Sequence, residues 1–247
     1  MNRGRIAQWV PASIRRKLRK ALVGDYYTFH KAYSSFSDCG EDRILNYLFA
    51  GKSEGFYVDV GAHRPITISN THYFYCQGWH GINVEAFPDK IEEFKKLRPL
   101  DTNLGVGISD SDGYMTLYTI GDGASSMNSF DRDNMLKLGI NEAAISSLEV
   151  PVRTLRSVLQ EHAPDSTIDF LNIDVEGHEM AVLESNDWER FRPRVIVLEN
   201  FKALNTLSNH EPVAFLDGRG YKLSFVTPNQ IILLERGCQL SVVNQLV

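Results

Sequence analysis

Apolar residues in this chain cluster in short unbroken runs, separated by stretches in which they recur at helical spacing. Phe56 to Val60, Gly81 to Val84, Ile168 to Ile173 and Val195 to Leu198 have the length and β-branched or aromatic character of strands buried on both faces. Leu104 to Ser109 reads as a further strand, Tyr114 to Tyr118 as a short alternating one, and Glu149 to Arg153 as a strand leading into a helix at Leu155 to His162. Ile91, Phe94 and Leu97 share one face of a helix from Pro88 to Leu97, with the proline in its first turn. Another helix is expected to start near Ser69 or Asn70 and to end at Gly78. Residues 131 to 147 read as short helical pieces. In residues 33 to 50, Ser37 or Asp38 would cap a short helix whose first-turn acids, Glu41 and Asp42, suit its dipole. Tyr221 to Thr227 and Gln230 to Glu235 are joined by Pro228-Asn229, too short for a parallel crossover, so they form an antiparallel hairpin.

Strands alternating with helices suit one α/β domain over residues 33–247, preceded by a separate segment at 1–32. In that segment Ile6, Trp9, Val10, Ile14, Leu18 and Leu22 oppose seven basic residues, with an interruption at Pro11. Residues 3–22 therefore suit either peripheral contact with an anionic membrane, at the inner face, or docking on the domain itself or a partner subunit, as in a homo-oligomer. No run reaches membrane-spanning length and no signal-peptide core follows the start. Cys39, Cys76 and Cys238 are odd in number and far apart, which argues against disulfides or zinc and for reduced thiols in a cytoplasmic protein. Removing the seven N-terminal charges leaves 19 basic against 31 acidic residues, so nucleic acid is not an expected partner of the domain.

Candidate chemistry gathers where strands end. Asp59 and Gly61 close the first buried run, and the sequence there admits either a structural turn or a cofactor loop. The full Gly-x-Gly-x-x-Gly pattern is absent, since His63 and Ile66 occupy its later glycine positions. Glu85 follows at a spacing suited to an acid that accepts hydrogen bonds from ribose hydroxyls. Residues 121 to 129 are polar and glycine-rich, as in a loop that covers a site. Asn172, Asp174, Glu176, His178 and Glu179 form the densest cluster of functional groups, and a parallel neighbour would bring Glu199 and Asn200 beside Asp174. Asp174, Glu199 and Asn200 are hard ligands of the kind Mg²⁺ accepts, or else they bond backbone amides. His178 is a general-base candidate or a structural donor.

Phe56 to His63, Asn83 to Ala86, Ile168 to Glu179 and Val195 to Glu199 together resemble the FkbM family of S-adenosylmethionine-dependent methyltransferases, most specifically in Leu171-Asn172-Ile173-Asp174-Val175-Glu176-Gly177. Gly40-Glu41-Asp42 is similar to that family's lead-in, and the resemblance covers roughly residues 33 to 236. It implies a class I methyltransferase, Rossmann-like fold: a seven-stranded, mostly parallel sheet with an antiparallel last strand and helices on both faces. It also implies that Asp59, Gly61 and Ala62 line the methionine end of S-adenosylmethionine, Glu85 holds the ribose, and Ser109 and Asp110 lie near the adenine. His63 and Asn172 complete the expected cofactor set, and Asp174, His178 and Glu199 the catalytic one. The implied reaction is O-methylation of a hydroxyl on a sugar, glycan or natural product, with a divalent cation as an optional helper. A nicotinamide-dependent oxidoreductase and a non-catalytic adaptor at a membrane or glycan-assembly complex are the rival readings.

Overall fold

The computed structural model describes residues 14, 17, 35–200, 210–238 and 240. The basic N-terminal segment and the expectations attached to it lie almost wholly outside the described residues. Seven strands form the main sheet: β1 (Phe56–Val60), β2 (His80–Val84), β3 (Thr102–Leu104), β7 (Phe170–Ile173), β8 (Val195–Glu199), β9 (Tyr221–Val226) and β10 (Gln230–Glu235). Their spatial order is β3-β2-β1-β7-β8-β10-β9. The first five run parallel, and β10 is antiparallel to both β8 and β9. This is the mixed α/β architecture expected from the alternation of runs.

Strand residues of opposite parity feed two apolar layers. Val58, Val60, Leu171, Ile173, Ile196 and Leu198 pack against α5 (Leu155–His162), α6 (Glu179–Glu184) and α7 (Glu211–Asp217). On the other face Tyr57, Phe170, Val195 and Val197 meet α1 (Glu41–Leu48) and α2 (His72–Gln77). Helix α3 (Pro88–Leu97) buries Ile91 and Phe94 against Ala62. Helices thus cover both faces, which is why the central strands carry almost no exposed position. Among the described residues no helix is long and apolar enough to cross a membrane.

Several local expectations are corrected. The strand expected at 104 to 109 divides: Thr102–Leu104 pairs with β2, whereas β4 (Gly107–Ile108) pairs with β6 (Ile145–Arg153). Together with β5 (Gly113–Ile120) these make a second, three-stranded sheet in the order β4-β6-β5. Residues 131 to 147 keep only α4 (Arg132–Lys137) and a 3₁₀ turn at Glu142–Ala144 as helix, because β6 begins at Ile145 to match the full length of β5. Helix α2 starts later than expected, with the Ser69 hydroxyl accepting from His72 N.

At α1 the N-cap is Gly40 in the left-handed region, φ 92°, with no side-chain cap. Asp38 instead accepts from Asn229, while the Ser37 hydroxyl accepts from Asp42 N. Glu41 and Asp42 do more than meet the helix dipole. Both are buried, Asp42 accepting from Phe36 N and the hydroxyls of Ser35 and Ser37, and Glu41 from Thr227 and Cys39 N. The lead-in is thereby tied to the β9–β10 turn.

Candidate active site

Sheet register brings four strand ends into one row. Val60 pairs with Val84 and Ile173, and Ile173 with Leu198. Gly61, Glu85, Asp174 and Glu199 are the next residues of their strands, so they share one edge, the carboxyl edge where open α/β sheets bind ligands. Gly61 takes φ +78° and passes directly over the Asp174 backbone. His63, also at positive φ, donates its N–H to Glu85 Oε2 at 2.9 Å, and Phe87 N donates to Oε1 at 2.8 Å. Each Glu85 oxygen keeps a second lone pair for a hydroxyl donor. Burial raises the Glu85 carboxyl, against the pull of Lys90.

Two cavities open at this edge. The larger, about 280 Å³, has a polar floor that includes Asp59, Asn70, Asn172 and Gln230, and Ile68 and Met127 also line it. The smaller, about 50 Å³, is lined by Glu85, Lys90, Ile108, Asn128 and Phe130 among others. Gly61, His63, Ser126 and Asp174 belong to both, so the cavities meet above the first strand turn. The polar stretch 121 to 129 does cover the site: Lys90 Nζ donates to Ser125 O at 2.7 Å, and the Ser129 hydroxyl to Glu176 O at 2.7 Å.

Beneath the larger cavity a hydrogen-bonded chain crosses the sheet. The buried Arg98, paired with Asp101 at 3.0 Å, donates to the Thr71 hydroxyl at 2.9 Å, which donates to Asp59 Oδ2 at 2.7 Å. Asn172 Nδ2 donates to Asp59 Oδ1 at 2.8 Å. Asn70 Nδ2 donates to both Asn172 Oδ1 and Gln230 Oε1 at 2.7 Å, and Gln230 Nε2 donates to Asp174 Oδ2 at 3.1 Å. The two hydrogens of the Asn70 amide fix its neighbours so that each presents its NH₂ to a carboxylate.

Asp174, Glu176 and Glu199 each offer a carboxylate oxygen within 4.8 Å of the others, a spacing that suits a hard divalent cation. Glu199 Oε2 accepts from Glu176 N at 3.1 Å, whereas Glu176 Oε2 is buried with no partner among the described residues. Burial pushes all three carboxyls up, and the charge of Asp174 adds to this at Glu176 and Glu199. Burial, reinforced by Lys90 and Arg64, holds the His63 imidazole down at about 4.

The expected site residues separate into two groups. Asp59, Gly61, Ala62, His63, Asn172, Asp174 and Glu199 line the larger cavity, and Glu85 the smaller. Ser109, Asp110, His178 and Asn200 line neither. His178 Nε2 lies 3.1 Å from the Ser109 hydroxyl, with its ring against Phe130, and Asp110 is exposed beside Ser111. Asn200 is buried, its N–H donating to Asn229 O at 2.7 Å. In the acidic cluster the third carboxylate comes from Glu176, which the sequence placed near the site without a role. Asn70 and Gln230 had no local signal at all.

The family model for the methyltransferase FkbM domain matches residues 59–223, more than half of the chain. The chain belongs to the FkbM methyltransferase family. The FkbM match spans Gly61, Glu85 and all three clustered carboxylates, and stops short of Gln230. Among solved structures, the chain is similar to a methyltransferase FkbM from Methylobacillus flagellatus, with 14% identity and a TM-score of 0.46. That alignment covers 89% of this chain but 58% of the Methylobacillus protein, so the chain spans little more than half of its length. A TehB-like SAM-dependent methyltransferase from Corynebacterium glutamicum shows 11% identity, a TM-score of 0.41 and coverage of 89% and 98%. A precorrin-6y C5,15-methyltransferase from Geobacter metallireducens shows 14% identity, a TM-score of 0.37 and coverage of 78% and 86%. No curated protein matches the chain.

Proposed function

We propose that this protein transfers a methyl group from S-adenosylmethionine to a hydroxyl of a sugar, glycan or natural-product acceptor. The observation that carries this reading is the row Gly61, Glu85, Asp174 and Glu199 at one sheet edge, where the two cavities meet. A glycine turn allows close backbone approach to a ligand, and Glu85, braced by two amides, has lone pairs left for ribose hydroxyls. His63 suits a cationic sulfonium nearby because burial keeps its ring neutral at physiological pH.

The cofactor, when bound, supplies an electrophilic methyl on sulfur that leaves a neutral thioether behind. The protein's own task is to orient the acceptor and remove its proton. Asp174 is the residue we assign to that proton: it lines both cavities, and Gln230 holds one of its oxygens. Glu199, beside it in the sheet, supports the carboxylate and takes part in the same proton network. His178, facing Ser109 outside both cavities, is left as a positioning group for the segment after β7. A second reading, favoured by the unpartnered Glu176 Oε2, has Asp174, Glu176 and Glu199 hold a divalent cation that lowers the pKa of the acceptor hydroxyl.

Titration calorimetry tests the cofactor assignment. S-adenosylhomocysteine is expected to bind with micromolar affinity, and Glu85→Ala to weaken it at least tenfold. Binding of NADH in its place would sink the methyltransferase reading in favour of an oxidoreductase.

A further inference from the structure

We infer that Asn128 reads the exocyclic amino group of the adenine ring through its side-chain carbonyl. This rests on the proposed use of S-adenosylmethionine and adds a specificity residue that the strand-end pattern does not contain. Asn128 lines the smaller cavity together with Glu85, Ile108, Leu117 and Phe130. Its Nδ2 donates to Gly123 O at 2.8 Å, which sets the direction of the amide, and its Oδ1 is buried without a partner among the described residues. An unsatisfied buried acceptor costs of the order of 1–3 kcal/mol, so the site gains most from a ligand that brings an N–H.

The donors of an adenosyl cofactor are few. Ribose hydroxyls go to Glu85, and the ammonium group belongs with the acids of the larger cavity, which leaves the adenine amine for the smaller one, where Ile108, Leu117 and Phe130 stand beside Asn128. Ser109 and Asp110 do not line that cavity: the Ser109 hydroxyl meets His178 Nε2, and Asp110 accepts from Ser111. Ser126 stands where the two cavities meet, and Gly123, packed against the Phe87 ring, keeps the bond that orients the Asn128 amide. Asn128 stays in place because its neighbour Ser129 is bonded in both directions to the Tyr118 backbone and through its hydroxyl to Glu176 O.

Three ligands on the full-length protein test this by calorimetry: S-adenosylhomocysteine, its analogue with hydrogen in place of the amino group, and S-inosylhomocysteine, which presents an oxygen there. The wild type is expected to prefer the first at least tenfold over both analogues. Asn128→Ala should lose that preference by binding S-adenosylhomocysteine about tenfold more weakly while holding the analogue that carries hydrogen unchanged. An Asn128→Ala variant that weakens all three ligands equally, or that still discriminates as the wild type does, overturns the assignment and leaves the cofactor reading standing. A wild type that binds none of the three overturns both.

Discussion

A Cβ built on Gly61 would stand 1.7 Å from the carbonyl oxygen of Asp174. The two backbones therefore touch where the larger and smaller cavities join, and no side chain fits between them. Gly61 also holds φ +78°, a region costly for other residues. Gly61→Ala is expected to push β1 and β7 apart at their ends and abolish S-adenosylhomocysteine binding, with a stability loss of at least about 2 kcal/mol. Calorimetry and thermal melting read the two effects separately.

Asn70→Asp is nearly isosteric but removes the two N–H groups that orient Asn172 and Gln230. It also adds a carboxylate to a buried floor that already holds Asp59. The variant should lose about 2–4 kcal/mol of stability, whereas Asn70→Ser, which keeps one donor, should lose less. Chemical denaturation of the two variants side by side checks the order, and the reverse order would mean that shape and not donor count matters at this position.

Three carboxyls crowd together at the sheet edge. Because burial and neighbouring charge raise Glu199 to about 11, its carboxyl must take up a proton on folding near neutral pH, and an uncharged amide removes that cost. Glu199→Gln is expected to raise the melting midpoint by a few degrees, about 1 kcal/mol. Methyl transfer to any accepted substrate should fall about a hundredfold or more in the same variant. A lowered midpoint would show that the Glu199 carboxyl does not carry that cost.

If the cluster holds a cation, added Mg²⁺ or Mn²⁺ raises the melting midpoint of the wild type in proportion to the logarithm of its concentration. Glu176→Gln should abolish the rise, since its unpartnered oxygen is the ligand with nothing else to do. Full methyl transfer after exhaustive chelation would remove the cation from the mechanism and leave the proton to Asp174 with Glu199 beside it.

His72 is buried edge-on against Phe36 and is held down to about 3 by burial. Its ordinary value, 6.5, applies in the unfolded chain, which binds the extra proton first as pH falls. The contribution is therefore fully present above pH 6.5 and is lost between 6.5 and about 3, with a slope of at most about 1.4 kcal/mol per pH unit. His72→Gln should flatten that limb of the stability profile while leaving the slope above pH 7 unaltered. Denaturation midpoints across pH 4 to 8 provide the check.

Much of this molecule is written locally. β1, β7 and β8 are legible because strands covered on both faces admit almost only apolar residues, and α3 because Pro88 marks its first turn while Ile91 and Phe94 fall on one apolar stripe. Parallel strand ends share an edge, so Gly61, Glu85, Asp174 and Glu199 follow from the same runs.

Tertiary structure alone decided who bonds whom. Asn70 meets Asn172 across 102 positions and Gln230 across 160, and an amide in a polar loop carries no periodicity that announces such partners. The break after β3 likewise has no local cause, since Gly107 and Ile108 leave the main sheet only because β6 offers them backbone partners from more than forty residues away. Short-range composition governs which elements form. Side-chain hydrogen bonds between distant segments depend on packing, and they determined which of the candidate residues face the two cavities and which, like His178, do not.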